Sequence, residues 1–163
     1  MTGSGEWTFT TGSAQETRDL GAAVGKHLAG GDLLILSGDL GSGKTTLVQG
    51  IAEGMGVEGR VTSPTYIIAR VHVGRGAAPD LVHVDAYRVG DELDLETIDL
   101  DSSAESAVTV VEWGTGKAEV LSDGRLEIHL DFVDSPETDS GRVVVLRPVG
   151  SAWRNRVERM GLS

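Results

Sequence analysis

Nine consecutive residues carry the densest chemistry in the chain: Gly38, Asp39, Leu40, Gly41, Ser42, Gly43, Lys44, Thr45 and Thr46. The first eight match the pattern G-x-x-x-x-G-K-S/T in full. Glycines let the backbone curl until successive N–H groups point inward at phosphate oxygens. A helix that opens from such a turn aims the positive end of its dipole at the same anion. Lys44 can then reach the β and γ phosphates, and the Thr45 hydroxyl can ligate Mg2+. Lys44 is one of three lysines in the sequence.

A nucleoside-triphosphate site also needs carboxylates, held at strand C-termini, for Mg2+ or a water. Asp85 closes the apolar run Leu81–Val84, and Glu112 closes Val108–Val111. His83 alternates with Asp85 and so can line the same site. Thr62, Ser63, Pro64 and Thr65 fall between the phosphate-loop helix and the next strand. In switch-type nucleotidases that connection senses the γ-phosphate. Pro64 stiffens it, and its hydroxyls can reach phosphate or metal; an ordinary turn is the competing reading. Arg88 can meet phosphate charge or pair with nearby acids. The Asn/Thr-Lys-x-Asp and Asp-x-x-Gly strings of guanine-specific switches are absent, which points to ATP over GTP.

These residues need a scaffold. Leu33–Leu36 is a continuous apolar run, as expected of a strand covered on both faces. Leu47, Val48, Ile51 and Met55 follow with helical spacing, and Gly56 fits a C-cap. Upstream, residues 6–10 read as a strand. Ser13 and Glu16 form a capping box for a helix whose face is Leu20, Val24 and Leu28, ended by Gly30 and Gly31. Residues 66–73, 81–85 and 108–111 read as further strands. Leu126, Ile128, Leu130 and Phe132 alternate as a strand buried on one face, and residues 143–146 pair with it as a hairpin. Residues 153–160 read as a last helix. The expected fold is α/β: a P-loop NTPase-like three-layer sandwich, with a mainly parallel central sheet and antiparallel edge strands near the C-terminus.

The 163 residues fit one domain. With 25 acids against 14 bases, the net charge is −11, which argues against a protein whose main work is neutralising nucleic-acid phosphates. Cysteine is absent, excluding a disulfide frame, a thiol nucleophile and thiolate metal sites. No apolar run reaches membrane-span length and the N-terminus lacks signal-peptide character, so a cytoplasmic protein is expected. His27, His72 and His129 lack metal-ligand spacing. Residues 91–105 hold seven acids and no base, a solvated face or a partner-docking surface. Arg154, Arg156 and Arg159 crowd the tail and mark the best place for direct RNA contact. Of the 23 glycines, Gly38, Gly41 and Gly43 have a phosphate to explain them; most of the others read as turns.

In this order, the elements resemble the bacterial TsaE (YjeE) family. Gly38–Thr46 looks like its Walker A loop. Ser63, Pro64, Thr65 and Tyr66 look like its switch segment. His83, Asp85, Tyr87 and Arg88 match its H-x-D-x-Y-R string, and Glu112-Trp113 its strand ending in Glu-Trp. Glu92-Leu93 and the Ile98–Leu100 stretch match its acidic segment more loosely. Ala86 and Gly114 depart from the residues frequent there, and the tail from about residue 150 is poorly matched. The resemblance implies an ATPase supporting synthesis of threonylcarbamoyladenosine, the modified adenosine beside the tRNA anticodon. It implies ATP/ADP and Mg2+ as ligands and TsaD and TsaB as protein partners, with TsaC and tRNA as functional links. TsaD would perform the transfer, and ATP turnover here would reset the TsaD–TsaB complex. Carried over, Lys44 would bind phosphate and Thr45 and Glu112 would hold Mg2+. Asp85 would be the base or water-positioning group, or a further metal ligand. Ser63 and Thr65 would act in the switch, and Trp113 would lie near the nucleotide.

Two other classes use the same loop. A small-molecule kinase would need a second-substrate pocket and often an arginine-bearing lid, and Arg70–Pro79 is short for one. A nucleotide-gated binding module would bind partners without appreciable hydrolysis.

Overall fold

The computed structural model describes residues 6–38, 43–57, 69–74, 76, 78–85, 107–112, 124–132 and 141–162. Seven strands form one sheet: β1 (Trp7–Thr11), β2 (Leu33–Ser37), β3 (Ala69–His72), β4 (Leu81–Asp85), β5 (Val108–Glu112), β6 (Arg125–Phe132) and β7 (Arg142–Val149). Their order is β1-β7-β6-β2-β5-β4-β3. Among the described residues there are three helices: α1 (Ala14–Gly25), α2 (Lys44–Met55) and α3 (Ser151–Arg159).

The α/β class holds, and the sheet is mixed, with antiparallel strands on both sides of a parallel centre where they were expected only near the C-terminus. β6, β2, β5 and β4 run parallel at the centre. β7 and β1 continue antiparallel on one side, and β3 is antiparallel to β4 on the other. The predicted β6–β7 hairpin is present. Antiparallel edges therefore also come from β1 and β3, early in the chain. The core face of the sheet carries Leu34, Leu36, Val110, Leu126, Ile128, Leu130, Val144 and Leu146, packed with Val24, Leu47, Val48 and Ile51 of α1 and α2. Alternation along β6 ends at Phe132, which is half exposed at the strand's end and has the Arg142 guanidinium 4.5 Å over its ring.

Ser13 caps α1 as predicted: its Oγ accepts from Glu16 N at 3.1 Å, and the Glu16 carboxylate reaches back to Gly12 N at 2.7 Å. The helix stops at Gly25, not at Gly30, so Leu28 lies beyond it. Gly25 meets α2 backbone to backbone. A Cβ there would stand 2.3 Å from Ile51 O, and one at Gly21 2.4 Å from Leu47 O. The facing glycines of α2 are as tight: 2.0 Å from Arg18 O at Gly50 and 2.2 Å from Ala22 O at Gly54. These four glycines lie inside the two predicted helices and serve as helix contacts, unlike the glycines that mark turns.

At the tail, Arg156 forks onto Asp32 through two 2.6 Å bonds and donates to His27 O at 3.0 Å. Its guanidinium stacks 4.1 Å from the Trp153 ring. The hydrogen bond to Asp32 raises its pKa; burial lowers it, and the Coulomb attraction of Asp32 raises it further. Of the three tail arginines offered for RNA, Arg156 is thus a clamp between α3 and the turn before β2. Asp32 is buried and also accepts from Ala29 N at 2.7 Å. Arg156→Ala should cost about 2–3 kcal/mol, because a nearly buried carboxylate loses a bidentate partner. Urea titration would read this as a lower midpoint with an unchanged slope.

Candidate functional site: the phosphate loop and its carboxylates

β2, β4, β5 and β6 are parallel, so Ser37, Asp85, Glu112 and Phe132 all end at one edge of the sheet. The chain leaves β2 towards β4 and β5, then crosses to β6 on β2's other flank. That places the residues after β2 at a topological switch point, outside the carboxyl ends of the strands, where open α/β sheets take ligands.

Gly38 follows β2, and Gly43 precedes α2 with φ +101°, a conformation that glycine adopts without penalty. Among the described residues no side chain caps the N-terminus of α2, whose N-cap is Gly43. The N–H groups of its first turn therefore have no side-chain partner from the N-cap, and they stand where an anion is favoured. Lys44 is the first residue of this helix. A cation is disfavoured at the positive end of a helix dipole, and Lys44 is also 5% exposed. Its Nζ donates to Gly38 O at 2.7 Å, bridging the two ends of the loop. A lysine so placed breaks a local rule, as functional residues often do. Thr45 and Thr46 are half-buried in the first turn.

On the other strand pair, register decides what meets. Asp85 is the direct partner of Glu112, and His83 the partner of Val110. Glu112 is 5% exposed and His83 is fully buried. They meet diagonally, His83 Nε2 to Glu112 Oε2 at 2.5 Å.

The structure thus joins Gly38 to Lys44 through the Nζ–O bond, with Gly43, Thr45 and Thr46 beside it at the start of α2, and His83 with Glu112 in another contact. Asp39, Leu40, Gly41, Ser42, Ser63, Pro64, Thr65, Tyr87, Arg88, Trp113, the 91–105 run and the Asp85 side chain lie outside the described part. One neighbour escaped the motifs. A methyl group on Gly43 would lie 3.7 Å from Arg142 Nε and 3.6 Å from Leu130 Cδ2, so Arg142 borders the loop. It donates to Gly141 O at 2.7 Å. Its only signal in the sequence is its place at the turn end of the β6–β7 hairpin, opposite Phe132. A separate cavity of about 320 Å³ opens on the other sheet face, between Ser37, His129, Glu127, Arg147 and Glu6. Its charges are satisfied internally, with Arg147 on Glu6 at 3.0 Å and Ser37 Oγ on His129 Nδ1 at 2.8 Å.

Among the described residues no helix is long and apolar enough to cross a membrane. Comparison with solved structures finds the crystal structure of Bacillus subtilis YdiB, with TM-score 0.74 and 27% identity, covering 95% of this chain and 93% of that one. Proteins named tRNA threonylcarbamoyladenosine biosynthesis protein TsaE match across most of the chain. The Streptomyces coelicolor protein is 50% identical over 137 residues, 83% of this chain and 93% of its own. The Bacillus subtilis protein is 34% identical over 153 residues, 93% of this chain and 92% of its own. The family described as threonylcarbamoyl adenosine biosynthesis protein TsaE matches residues 11–140. With the family's match running from the end of β1 past β6, through the phosphate loop and both carboxylate strands, the chain belongs to the TsaE family.

Proposed function

We propose that this protein is a Mg2+-dependent P-loop ATP hydrolase of tRNA threonylcarbamoyladenosine formation, working in the cytoplasm with TsaD and TsaB. The observation that carries the reading is the buried Lys44 at the head of a helix whose N-cap, Gly43, offers no side-chain hydrogen bond, in a chain of the TsaE family. Lys44 and the first-turn N–H groups of α2 hold the phosphates and offset their charge. Thr45 and Glu112 would hold Mg2+, with Asp85 opposite Glu112 as a further ligand or as the base. The metal, when bound, supplies positive charge to the β and γ oxygens. Water attacks the γ-phosphorus, the bond to the β–γ bridging oxygen breaks, and ADP leaves. The proton lost by the water passes to Asp85 or to the departing phosphate. Ser63, Pro64 and Thr65 report the γ-phosphate to the partners, and Trp113 borders the nucleotide.

The family supports a role beside TsaB, TsaC and TsaD, and reconstitution tests it. With those three proteins, ATP, threonine, bicarbonate and tRNA, adding this protein should raise modified adenosine from about one per TsaD–TsaB complex to many. An unchanged yield would overturn the role. Phosphate appearing on a metabolite instead of in water would favour a kinase. ATP-dependent association with TsaD–TsaB at background phosphate release would favour a nucleotide-gated module.

A further inference from the structure

His83 has no evident reason to be polar. It lies in the run Leu81–Val84, with Val110 as its partner on β5. Leu81 and Val110 belong to the core that α2 covers. The ring is fully buried, and its Nδ1 has no hydrogen-bond partner among the described residues. Burying an imidazole with an unfilled nitrogen costs stability that a leucine would not. What the ring makes in return is one contact, from Nε2 to Glu112 Oε2 at 2.5 Å. A carboxylate can only accept there, so Nε2 carries the proton and donates. Among the described residues, His83 is the one hydrogen-bond partner of Glu112.

We propose that His83 is a positioning residue for Glu112, holding Oε2 so that the carboxylate presents Oε1 to the divalent cation bound with the nucleotide. This rests on the reading that Glu112 is a metal ligand. A glutamate at a strand end has several rotatable bonds, and each must be fixed when a metal binds. One donor from the packed core fixes the carboxylate plane beforehand. Losing such an outer partner typically costs metal affinity 10- to 100-fold. The orphaned Nδ1 fits this division of labour: packing holds the ring, and Nε2 alone does the polar work.

The test uses the full chain, Mn2+ as the metal probe and a non-hydrolysable ATP analogue. Free Mn2+ is followed by electron paramagnetic resonance, and analogue binding in EDTA is measured separately. His83→Leu should weaken Mn2+ uptake about 10- to 100-fold while analogue binding in EDTA stays within about threefold. His83→Gln, whose amide can donate where Nε2 stands, should restore Mn2+ uptake to within a few-fold of wild type. Wild-type Mn2+ affinity in His83→Leu overturns the proposal. So does an equal loss of Mn2+ and of metal-free analogue, which marks a packing role. Should His83→Leu melt below the assay temperature, ring nitrogen NMR of the unaltered protein decides. A proton on Nε2 is expected, and a bare Nε2 overturns the proposal. Glu112→Ala separates the two levels. If it loses Mn2+ while His83→Leu does not, only the positioning role falls. If Glu112→Ala binds Mn2+ as wild type does, the metal-ligand reading falls, and the positioning role with it.

Discussion

Lys44→Ala is expected to lower phosphate release about a thousandfold and leave the protein folded. The magnitude follows from what one preorganised donor is worth against charge developing in a transition state, typically 10²–10³ in rate. Lys44 sits at the upper end because its charge is buried and already aimed at the loop through Gly38 O. A thousandfold is about 4 kcal/mol at the barrier. The alternative contributions are smaller. The first-turn N–H groups of α2 remain in the variant, and a helix terminus offers about 0.3–2 kcal/mol to a charge. Single-turnover phosphate release at saturating ATP reads the effect. A melting curve within a few degrees of the parent's shows that the loop and not the fold was lost. Retained hydrolysis would remove Lys44 from the chemistry.

How far the sequence alone reached depended on whether a feature is local. The glycine-rich motif is local: its glycines, lysine and threonine are read from backbone curl and charge within a few residues, and the proposed phosphate role rests on that local pattern. The β6–β7 hairpin is nearly as local. The His83–Glu112 contact is not. It depends on β4 lying beside β5 in a register that sets His83 against Val110, and no spacing within either strand announces it. The partner of Arg156 is non-local in the same way. In sequence it is one of three clustered tail charges; in space it meets Asp32 from 124 residues away. The end of α1 was misread because Leu20, Val24 and Leu28 continue a helical period past Gly25. In the structure α1 closes at Gly25 with Lys26 as its C-cap, and Gly25 lies against Ile51 of α2.

That approach sets the second large effect. Gly50→Ala should destabilise the protein by about 3 kcal/mol, although alanine is the better helix former. Helix propensity favours the change by about 1 kcal/mol. The new methyl, however, would stand 2.0 Å from Arg18 O and 2.8 Å from Arg18 C, backbone atoms that cannot rotate away. Relief requires α1 and α2 to separate, which loosens the close contacts at Gly21, Gly25 and Gly54 as well. Overpacking of this kind commonly costs 1–3 kcal/mol or more, and here several contacts yield together. For a chain of this length the melting temperature should fall by about 10 °C. Gly56→Ala is the internal comparison. Gly56 caps the same helix with φ +78° and nothing within 4 Å of a Cβ, so its cost is conformational, about 1–2 kcal/mol. If the two variants melt together, backbone contact between the helices is not what seats α2. If Gly50→Ala melts well below Gly56→Ala and also binds ATP more weakly at temperatures where it is folded, the glycine contact is part of how α2 positions Lys44, its first residue, for the proposed phosphate site.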